Sequence, residues 1–409
     1  MGRIRVSVGR SFHSLRVIDS EALDNMINYF VDINNRFHGA DFFRDQWESL
    51  GRYKLNPKQL SIIIERSGQL VQSLEDQSND VADTMAQELK QIALDNLHRW
   101  EQQAVGQIPF FEPVDLSHCY KGFSELGIKP TTEIYRQLFS RIQERAHDFR
   151  PIDYGIHYNC AARLGAELPR MLGKELLDRI RACDSFWEKQ RKTDFVWALA
   201  VQDSIFPKTE YAQIAGLIRH MLPTIVRGKH VQKMRHDTAK WFRWEGDFPN
   251  VERRPTHSSI EDDVRKLFER AGLKTEVLSS PIPEFPQAID WSVTDGERRV
   301  HVEIDAHESH HLEAAGQIPA LRMNPHYTGP DLFRSALLGR ETTDPILRIP
   351  RPISFALGDK RNRLHVGEEA AKLMAKIFFS RAANGPAKVS RAVLLGCEPR
   401  VAAMTPSGQ

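Results

Sequence analysis

The sequence predicts a mainly α-helical protein in which an N-terminal α-solenoid of helical-hairpin repeats is followed by a C-terminal α/β domain. Three observations predict this fold class. From about residue 20 to residue 245, apolar residues recur every three or four positions, as they do on amphipathic helices. Within that region a short pattern beginning at Pro113 recurs at Pro151, and alternating, strand-like runs begin only after Pro255.

The repeated pattern is the most informative feature of the helical region. Pro113-Val114-Asp115 recurs as Pro151-Ile152-Asp153, and the match continues into the next predicted helix. The matched pairs there, at the same spacing, are Ile134 with Leu172, Leu138 with Leu176, and Arg141 with Arg179. Two-helix repeats of about 38 residues are typical of α-solenoids, in which each repeat completes the core of its neighbour.

Two further copies of the pattern are predicted. A third copy follows at a slightly longer spacing, where Asp194 matches Asp153, and an earlier, looser copy begins at Pro57. The second helix of the third copy is predicted to place Leu217, Ile218 and Met221 at the positions of Leu176, Leu177 and Ile180. Because each aspartate precedes an apolar run, we expect Asp115, Asp153 and Asp194 to cap helices by accepting backbone hydrogen bonds.

Length and composition exclude several classes of protein. The chain has 409 residues, and 56 Lys plus Arg against 54 Asp plus Glu give a formal net charge of +2. No segment approaches the roughly 18 consecutive apolar residues of a spanning helix, so we expect no membrane partner. We expect a helical region at 1–105, repeats at 106–245, the α/β domain at 255–352, and a helix with a tail at 353–409.

Cysteine usage and the N-terminus bear on the compartment. The four cysteines are far apart and form no Cys-x-x-Cys pair, which favours a reducing, cytoplasmic location without a zinc ribbon or a disulfide framework. The segment before Asp19 is basic and lacks acids, which is also the composition of a transit peptide. The mitochondrial matrix is therefore the alternative location.

Residues 227–254 combine positive charge with aromatic residues. Eight Lys or Arg face four Asp or Glu, and residues 334–363 carry a similar excess of seven against three. Cations with aromatics between them suit phosphate contact and base stacking, so the candidate nucleic-acid-binding residues are Arg235, Lys240, Trp241, Arg243 and Arg334. The alternative is a linker whose aromatic residues pack on a neighbouring domain.

A β-hairpin is predicted around Asp295-Gly296, a dipeptide typical of two-residue turns. That turn would pair Ile289 with Val302, Asp290 with His301 and Trp291 with Val300. Side chains alternate along a strand, so His301, Glu303 and Asp305 would share one face with Asp290. Asp290 and Glu303 would then be diagonal neighbours, and their carboxylates could bind Mg²⁺ or Mn²⁺. The alternative is a solvated or Arg-paired acidic face that binds no metal.

A second motif overlaps the end of the hairpin. The segment His307-Glu308-Ser309-His310-His311 matches His-Glu-x-x-His, in which two helical histidines bind zinc and the Glu acts as a base. The preceding residues, Ile304-Asp305-Ala306, are typical of a strand end rather than of a helix. We therefore favour loop histidines beside the acidic face and keep a zinc metallopeptidase as the alternative.

The C-terminal pattern as a whole resembles a RAP domain. The residues that carry this resemblance are the helix from Ser258 to Gly272, the Ile289-Asp290 strand, the Val302-Glu303-Ile304-Asp305 strand, and the segments 332–339 and 346–350. The RAP domain is similar to the PD-(D/E)xK fold of very-short-patch-repair endonucleases. The repeats before it resemble the octotricopeptide-type repeats of FAST-kinase-domain and organellar RNA-maturation proteins, so the resemblance covers about residues 110–352.

The resemblance implies particular roles for the acidic residues. Asp290 and Glu303 stand at the positions of the core acids, and Glu261 matches an acid that some members carry on the first helix. The usual core lysine is replaced by Asp305, so His301 or His310 would have to supply the base.

The resemblance also implies a function. It implies an RNA-binding protein that acts in RNA processing or stability, with single-stranded RNA as its partner. Together with the acidic hairpin it implies a Mg²⁺- or Mn²⁺-dependent endoribonuclease with Asp290, Glu303, Asp305, His301 and His310 as candidate catalytic residues. Two alternatives stay open, a zinc metallopeptidase using His307, Glu308 and His311, and a catalytically inert protein-interaction solenoid.

Overall fold

The structure, a computed structural model, is mainly helical with a small C-terminal sheet, as the sequence predicts. It describes residues 16–17, 53–75, 91, 100, 102–182, 192–222, 229–246, 259–277, 289–294, 296, 299–304, 311–314, 326–341 and 346–349. No helix in these ranges is long and apolar enough to cross a membrane. The predicted helix and tail at 353–409 lie outside the described residues.

The α-helices are α1 (Pro57–Glu75), α2 (Pro113–Leu126), α3 (Thr132–Arg145), α4 (Pro151–Leu164), α5 (Arg170–Ala182), α6 (Lys192–Ile205), α7 (Thr209–Ile218), α8 (Lys229–Phe242), α9 (Ser259–Arg270) and α10 (Gly329–Glu341). The strands are β1 (Arg16–Val17), β2 (Tyr53–Lys54), β3 (Ile128–Lys129), β4 (Lys274–Val277), β5 (Trp291–Thr294), β6 (Arg299–Ile304), β7 (His311–Ala314), β8 (His326–Tyr327) and β9 (Ile346–Ile349). Short 3-10 helices cover Ile108–Phe110, Ala146–Asp148 and Arg219–Met221.

The chain divides into two compact units, and each has its own core. The first unit comprises Met1–Leu126 and Pro130–Arg141. In it α1 packs closely on α2, because Gly122 has no side chain at the crossing and a Cβ atom there would lie 2.3 Å from the Ile64 carbonyl oxygen. The second unit comprises Gly127–Lys129 and Ile142–Gln409. The domain boundaries predicted from the sequence stay predictions.

The repeated sequence pattern forms the same helix start in its copies. The backbone N–H of Glu112 donates to Asp115 Oδ2 (3.0 Å), and the N–H of Arg150 donates to Asp153 Oδ2 (2.9 Å). At the looser copy, the N–H of Asn56 donates to Gln59 Oε1 (3.1 Å). Each side chain therefore satisfies the backbone donor just before its helix, which is half of a capping box. The capping prediction is confirmed for Asp115 and Asp153, and it stays a prediction for Asp194.

A second contact is also repeated at the matched positions of the first two copies. Arg141 Nε donates to the carbonyl of Phe111 (3.0 Å), and Arg179 Nη1 donates to the carbonyl of Phe149 (2.7 Å). In both cases the arginine lies on the second helix, and the carbonyl directly follows a 3-10 helix. The matched arginines therefore tie the second helix of each copy to a residue that precedes its first helix.

The third copy differs from its prediction in the second helix. Leu217 of α7 is 37% exposed, whereas Ile214, Ala215 and Ile218 are buried. The predicted placement of Leu217 in the core is therefore wrong. Apolar residues lie on several sides of this short helix, and α7 turns Ile214 and Ile218 inward because it packs against α5 and α6.

The C-terminal sheet has the order β4-β5-β6-β9, with β9 parallel to β6 and the other neighbours antiparallel. One face of the sheet packs on α9. Side chains from α9 and all strands but β4 form this core, and they are Val264, Leu267, Phe268, Trp291, Val293, Val300, Val302, Ile304, Leu347 and Ile349. The other face carries polar side chains, and α10 contacts it through hydrogen bonds.

The helix α10 belongs to the same compact unit as the helices that directly precede it. It packs on α4, α6 and α8. Its first residue, Gly329, lies so close to α4 that a Cβ atom there would be 1.5 Å from the Ala162 carbonyl oxygen. The absence of a side chain at this glycine thus allows α10 to pack on α4 as well as on the sheet.

The predicted hairpin is present, but its predicted register is wrong by two positions. Trp291 pairs with Val302 rather than with Val300, and the last pair is Thr294 with Arg299. Four residues, 295–298, therefore separate the two strands instead of two, and Gly296 among them adopts a φ of +101°. An even shift keeps every side chain on its predicted face, because side chains alternate with a period of two.

Candidate functional site

Two carboxylates meet on the polar face of the C-terminal sheet. Asp290 directly precedes β5, and Glu303 lies near the end of β6. Continuing the register from the pair Trp291 and Val302 by one position places Asp290 opposite Glu303. They are therefore cross-strand neighbours rather than the diagonal neighbours that the sequence predicts. Asp290 Oδ2 also accepts a hydrogen bond from the backbone N–H of Ile304 (2.7 Å), which ties the first carboxylate to β6.

The environment of Asp290 favours its protonated form. Burial, the main cause, together with the charge of Glu303 raises the pKa of Asp290 to about 8. The charge of Glu261 on α9 acts in the same direction, while the hydrogen bond from Ile304 and the charge of Arg334 oppose it. Near neutral pH, Asp290 thus carries a proton that a carboxyl group in water would have lost.

Glu303 is held by an arginine that α10 provides. Glu303 is 3% exposed, and its Oε1 lies 2.7 Å from Arg334 Nη2. The sequence predicts Arg334 as a nucleic-acid-binding residue, but its guanidinium points to the sheet and pairs with Glu303. That placement follows from helix geometry, because α10 turns this position toward β6 while the opposite side of the helix packs on other helices.

A second buried ion pair lies beside the first. Arg348 of β9 is paired with Glu303 in the strand register, and its Nη2 donates to Asp331 Oδ1 at 3.1 Å. Its Nη1 donates to the Asp331 carbonyl and to Ser335 Oγ, both at 3.0 Å. This group is not among the residues predicted from the sequence. The signal is a single arginine in the otherwise apolar strand Ile346–Ile349, which requires a buried partner.

The structure describes only some of the candidate histidines and acids at the end of the hairpin. His301 is 2% exposed and lies on β6 on the same face as Glu303. Asp305, His307, Glu308 and His310 lie outside the described residues. His311 begins β7, so its backbone is extended, whereas the zinc motif needs a helix at this point. The zinc-peptidase alternative stays a prediction that the strand does not favour.

The chemistry of Asp290 and Glu303 fits a divalent cation. Both are hard oxygen ligands of the kind that Mg²⁺ and Mn²⁺ prefer. Burial and the charge of Glu303 raise the pKa of Asp290, and a bound cation would favour the ionised form of this carboxyl. Arg334 is the competing cation, because it already pairs with Glu303. Among the described residues, no three His, Cys, Asp or Glu side chains are grouped closely enough to hold a metal ion.

The basic, aromatic segment contacts neighbouring helices through Trp241. Trp241 is 6% exposed, its Nε1 donates to Asp203 Oδ2 (2.9 Å), and the ring of Phe333 lies edge-on to it with 5.6 Å between ring centroids. The ring is thus inside the helical packing, as the packing alternative predicts, and the assignment of Trp241 to nucleic-acid binding stays a prediction that this burial does not favour. Arg235 and Lys240 are half-buried, and Arg243 is exposed.

Comparisons of the chain with protein-family models and with curated protein sequences find no match. The resemblance to RAP domains therefore depends on the order of the helix, the strands and their acidic residues.

Proposed function

We propose that the protein binds RNA, acts in RNA processing or stability, and cleaves RNA through its C-terminal domain with Mg²⁺ or Mn²⁺. The observation that carries the catalytic part is the pair of neighbouring carboxylates, Asp290 just before β5 and Glu303 on β6, with the charge of Glu261 also acting on Asp290. Placing a half-buried acid, Asp290, beside a buried one, Glu303, has an energetic cost, and such strained groups of acids are common at functional sites.

Two features support the finer fold assignment within this proposal. The repeated caps and the repeated bonds from Arg141 and Arg179 support an α-solenoid, in which equivalent residues make equivalent contacts. The order of an acid on a helix, Glu261, then one before β5, Asp290, then one on β6, Glu303, supports a RAP-like, PD-(D/E)xK-like domain.

The chain's own residues would perform distinct tasks in RNA cleavage. Asp290 and Glu303 would hold the divalent ion, which when bound supplies a Lewis acid for the phosphodiester and lowers the pKa of water. Binding the ion requires Asp290 to release its proton, so metal affinity should rise with pH up to about 8. Arg334 would leave Glu303 and could then pair with a phosphate, since a guanidinium binds both kinds of oxyanion.

The test of catalysis is an RNA-cleavage assay with the purified full-length protein in Mg²⁺ or Mn²⁺. We expect cleavage that Asp290→Asn and Glu303→Gln each abolish. The matched controls are Asp262→Asn and Glu276→Gln, which change acids that pair with arginines on the protein surface. Activity that survives both site variants, or that the controls reduce equally, would reject this site.

The ion pair between Arg334 and Glu303 favours a second candidate function, an RNA-binding domain without catalysis. In that case the arginine acts as a permanent counter-ion and no metal enters. Calorimetric titration with Mn²⁺ separates the two candidates, because Arg334→Gln should increase Mn²⁺ affinity only where Glu303 is a ligand. If neither the wild type nor Arg334→Gln binds Mn²⁺, the catalytic proposal is wrong and the inert domain is supported.

A further inference from the structure

The end of α8 contains an arginine in a conformation that favours glycine. Arg243 has a φ of 55°, and in the described part of the chain every other residue with positive φ is a glycine. The N–H of Trp244 donates to the Ala239 carbonyl (2.9 Å), which is the bond of a Schellman helix end with Arg243 at the left-handed position. Glycine would occupy this position at lower conformational cost. Arg243, whose side chain is exposed, therefore carries local backbone strain.

Two further arginines converge on the same short segment. The Cζ of Arg340 lies 3.2 Å from the ring centroid of Trp241, and its Nη1 donates to the Trp241 carbonyl (3.1 Å). The Cζ of Arg219 lies 5.2 Å from the ring centroid of Trp244, and its Nη2 donates to the Glu245 carbonyl (2.9 Å). Each guanidinium is therefore held on an aromatic ring and a backbone oxygen. We call Arg219, Arg243 and Arg340 the arginine surface.

The charges around the arginine surface favour an anion. Lys240 adds a fourth cation at the end of α8. Among the described residues beside these cations, Glu245 is exposed, Asp203 Oδ2 accepts from Trp241 Nε1, and Glu341 directly follows Arg340. Arg243 and Arg340 are exposed, so their positive charge faces solvent.

The geometry of the arginine surface suits nucleotides better than a simple polyanion. A guanidinium held in place pairs with phosphate through two parallel hydrogen bonds and loses little side-chain entropy on binding. Its plane also stacks on unpaired bases. Phe242, half-buried and stacked on Trp244 with 5.6 Å between ring centroids, adds an aromatic face to the same site. An acidic peptide would use the charges but not these planar faces.

We infer that the arginine surface is a contact site for single-stranded RNA, with Arg243 on a phosphate and Arg340 stacked on a base. This inference rests on the proposed RNA binding and places it on specific residues. It also adds Arg219 and Arg340 to the predicted contact residues, while the buried ring of Trp241 supports Arg340 from below.

The test uses the full-length protein and a fluorescently labelled, mixed-sequence single-stranded RNA, with Kd measured by anisotropy over a range of salt concentrations. Arg243→Gly removes the charge and relieves the strain, so it should weaken binding by about five- to tenfold and lower the salt slope by about 1, without lowering Tm. Arg340→Lys keeps the charge but loses the planar face, so it should weaken binding by about fivefold at an unchanged salt slope. Arg163→Ala, which removes an exposed charge on α4, is the control.

The outcomes separate this inference from the proposed function. Wild-type RNA binding that Arg243→Gly and Arg340→Lys leave unchanged would overturn the arginine surface and leave RNA binding intact. No salt-dependent RNA binding by the wild type would overturn both. Equal competition by single-stranded RNA, double-stranded RNA and a polyglutamate peptide would overturn the base-stacking role, because a site that recognises charge alone does not distinguish them.

Discussion

Replacing the half-buried carboxyl of Asp290 by an amide, Asp290→Asn, should make the protein more stable at high pH. The cause is the pKa of about 8, which burial and the charge of Glu303 raise from the ordinary value of 3.8. In the unfolded chain Asp290 ionises near pH 3.8, while in the folded protein it keeps its proton up to about pH 8. The protonated carboxyl of Asp290 therefore contributes its full stability to the folded protein below pH 3.8, and this contribution is lost as the pH rises to about 8.

The size of this stability change follows from the interval between the pKa of Asp290 in the unfolded chain and that in the folded protein. One pKa unit corresponds to about 1.4 kcal/mol, so the wild type should lose up to about 1.4 kcal/mol for each pH unit in this interval. The full interval corresponds to an upper limit of about 6 kcal/mol. Water entry and local relaxation reduce the cost of ionising a buried group. We therefore expect Asp290→Asn and the wild type to be equally stable near pH 4, and the variant to be more stable by about 3 kcal/mol near pH 9.

Urea denaturation of both proteins at several pH values measures this difference. Hydrogen exchange of the β5 and β6 amides shows that the change belongs to the sheet, since exchange reports the local opening free energy. Asp262→Asn is the matched control, because Asp262 is a surface acid paired with Arg265 and its loss should cost less than about 1 kcal/mol at any pH. A stability difference between Asp290→Asn and the wild type that does not change with pH would refute the argument.

Three further substitutions test the helical packing. Asp153→Ala removes the cap of α4 and should lower the unfolding free energy, measured by urea denaturation, by about 1 to 2 kcal/mol. At low pH Asp153 is protonated and the pairing with Arg150 that lowers its pKa is gone, so a loss of the same size there would contradict this explanation. Gly329→Ala should lower the unfolding free energy by more than about 3 kcal/mol, because its Cβ would overlap the Ala162 carbonyl. Gly216→Ala, at a position with open space around it, should raise Tm slightly. Equal Tm changes for the two glycine variants would show that α10 does not depend on this close contact.

The helix starts could be predicted because their hydrogen bonds are local. Asp153 caps the N–H of a residue only three positions earlier, and the same holds for Asp115. Such a contact depends on a few neighbouring residues, so a repeated sequence pattern produces a repeated structure. The second helix of the third copy could not be predicted in the same way. Its apolar residues permit more than one buried face, and the neighbouring helices select Ile214 over Leu217.

Strand alternation is enough to predict that Asp290 and Glu303 share one face of the hairpin. Because it has a period of two, the difference of two positions in register leaves both side chains on that face. The groups that surround the two acids, in contrast, depend on the tertiary structure. Arg334 reaches Glu303 across 31 positions of the chain, and Arg340 reaches Trp241 across 99. Contacts of this range depend on how α10 packs between the sheet and the other helices, which local sequence patterns do not encode.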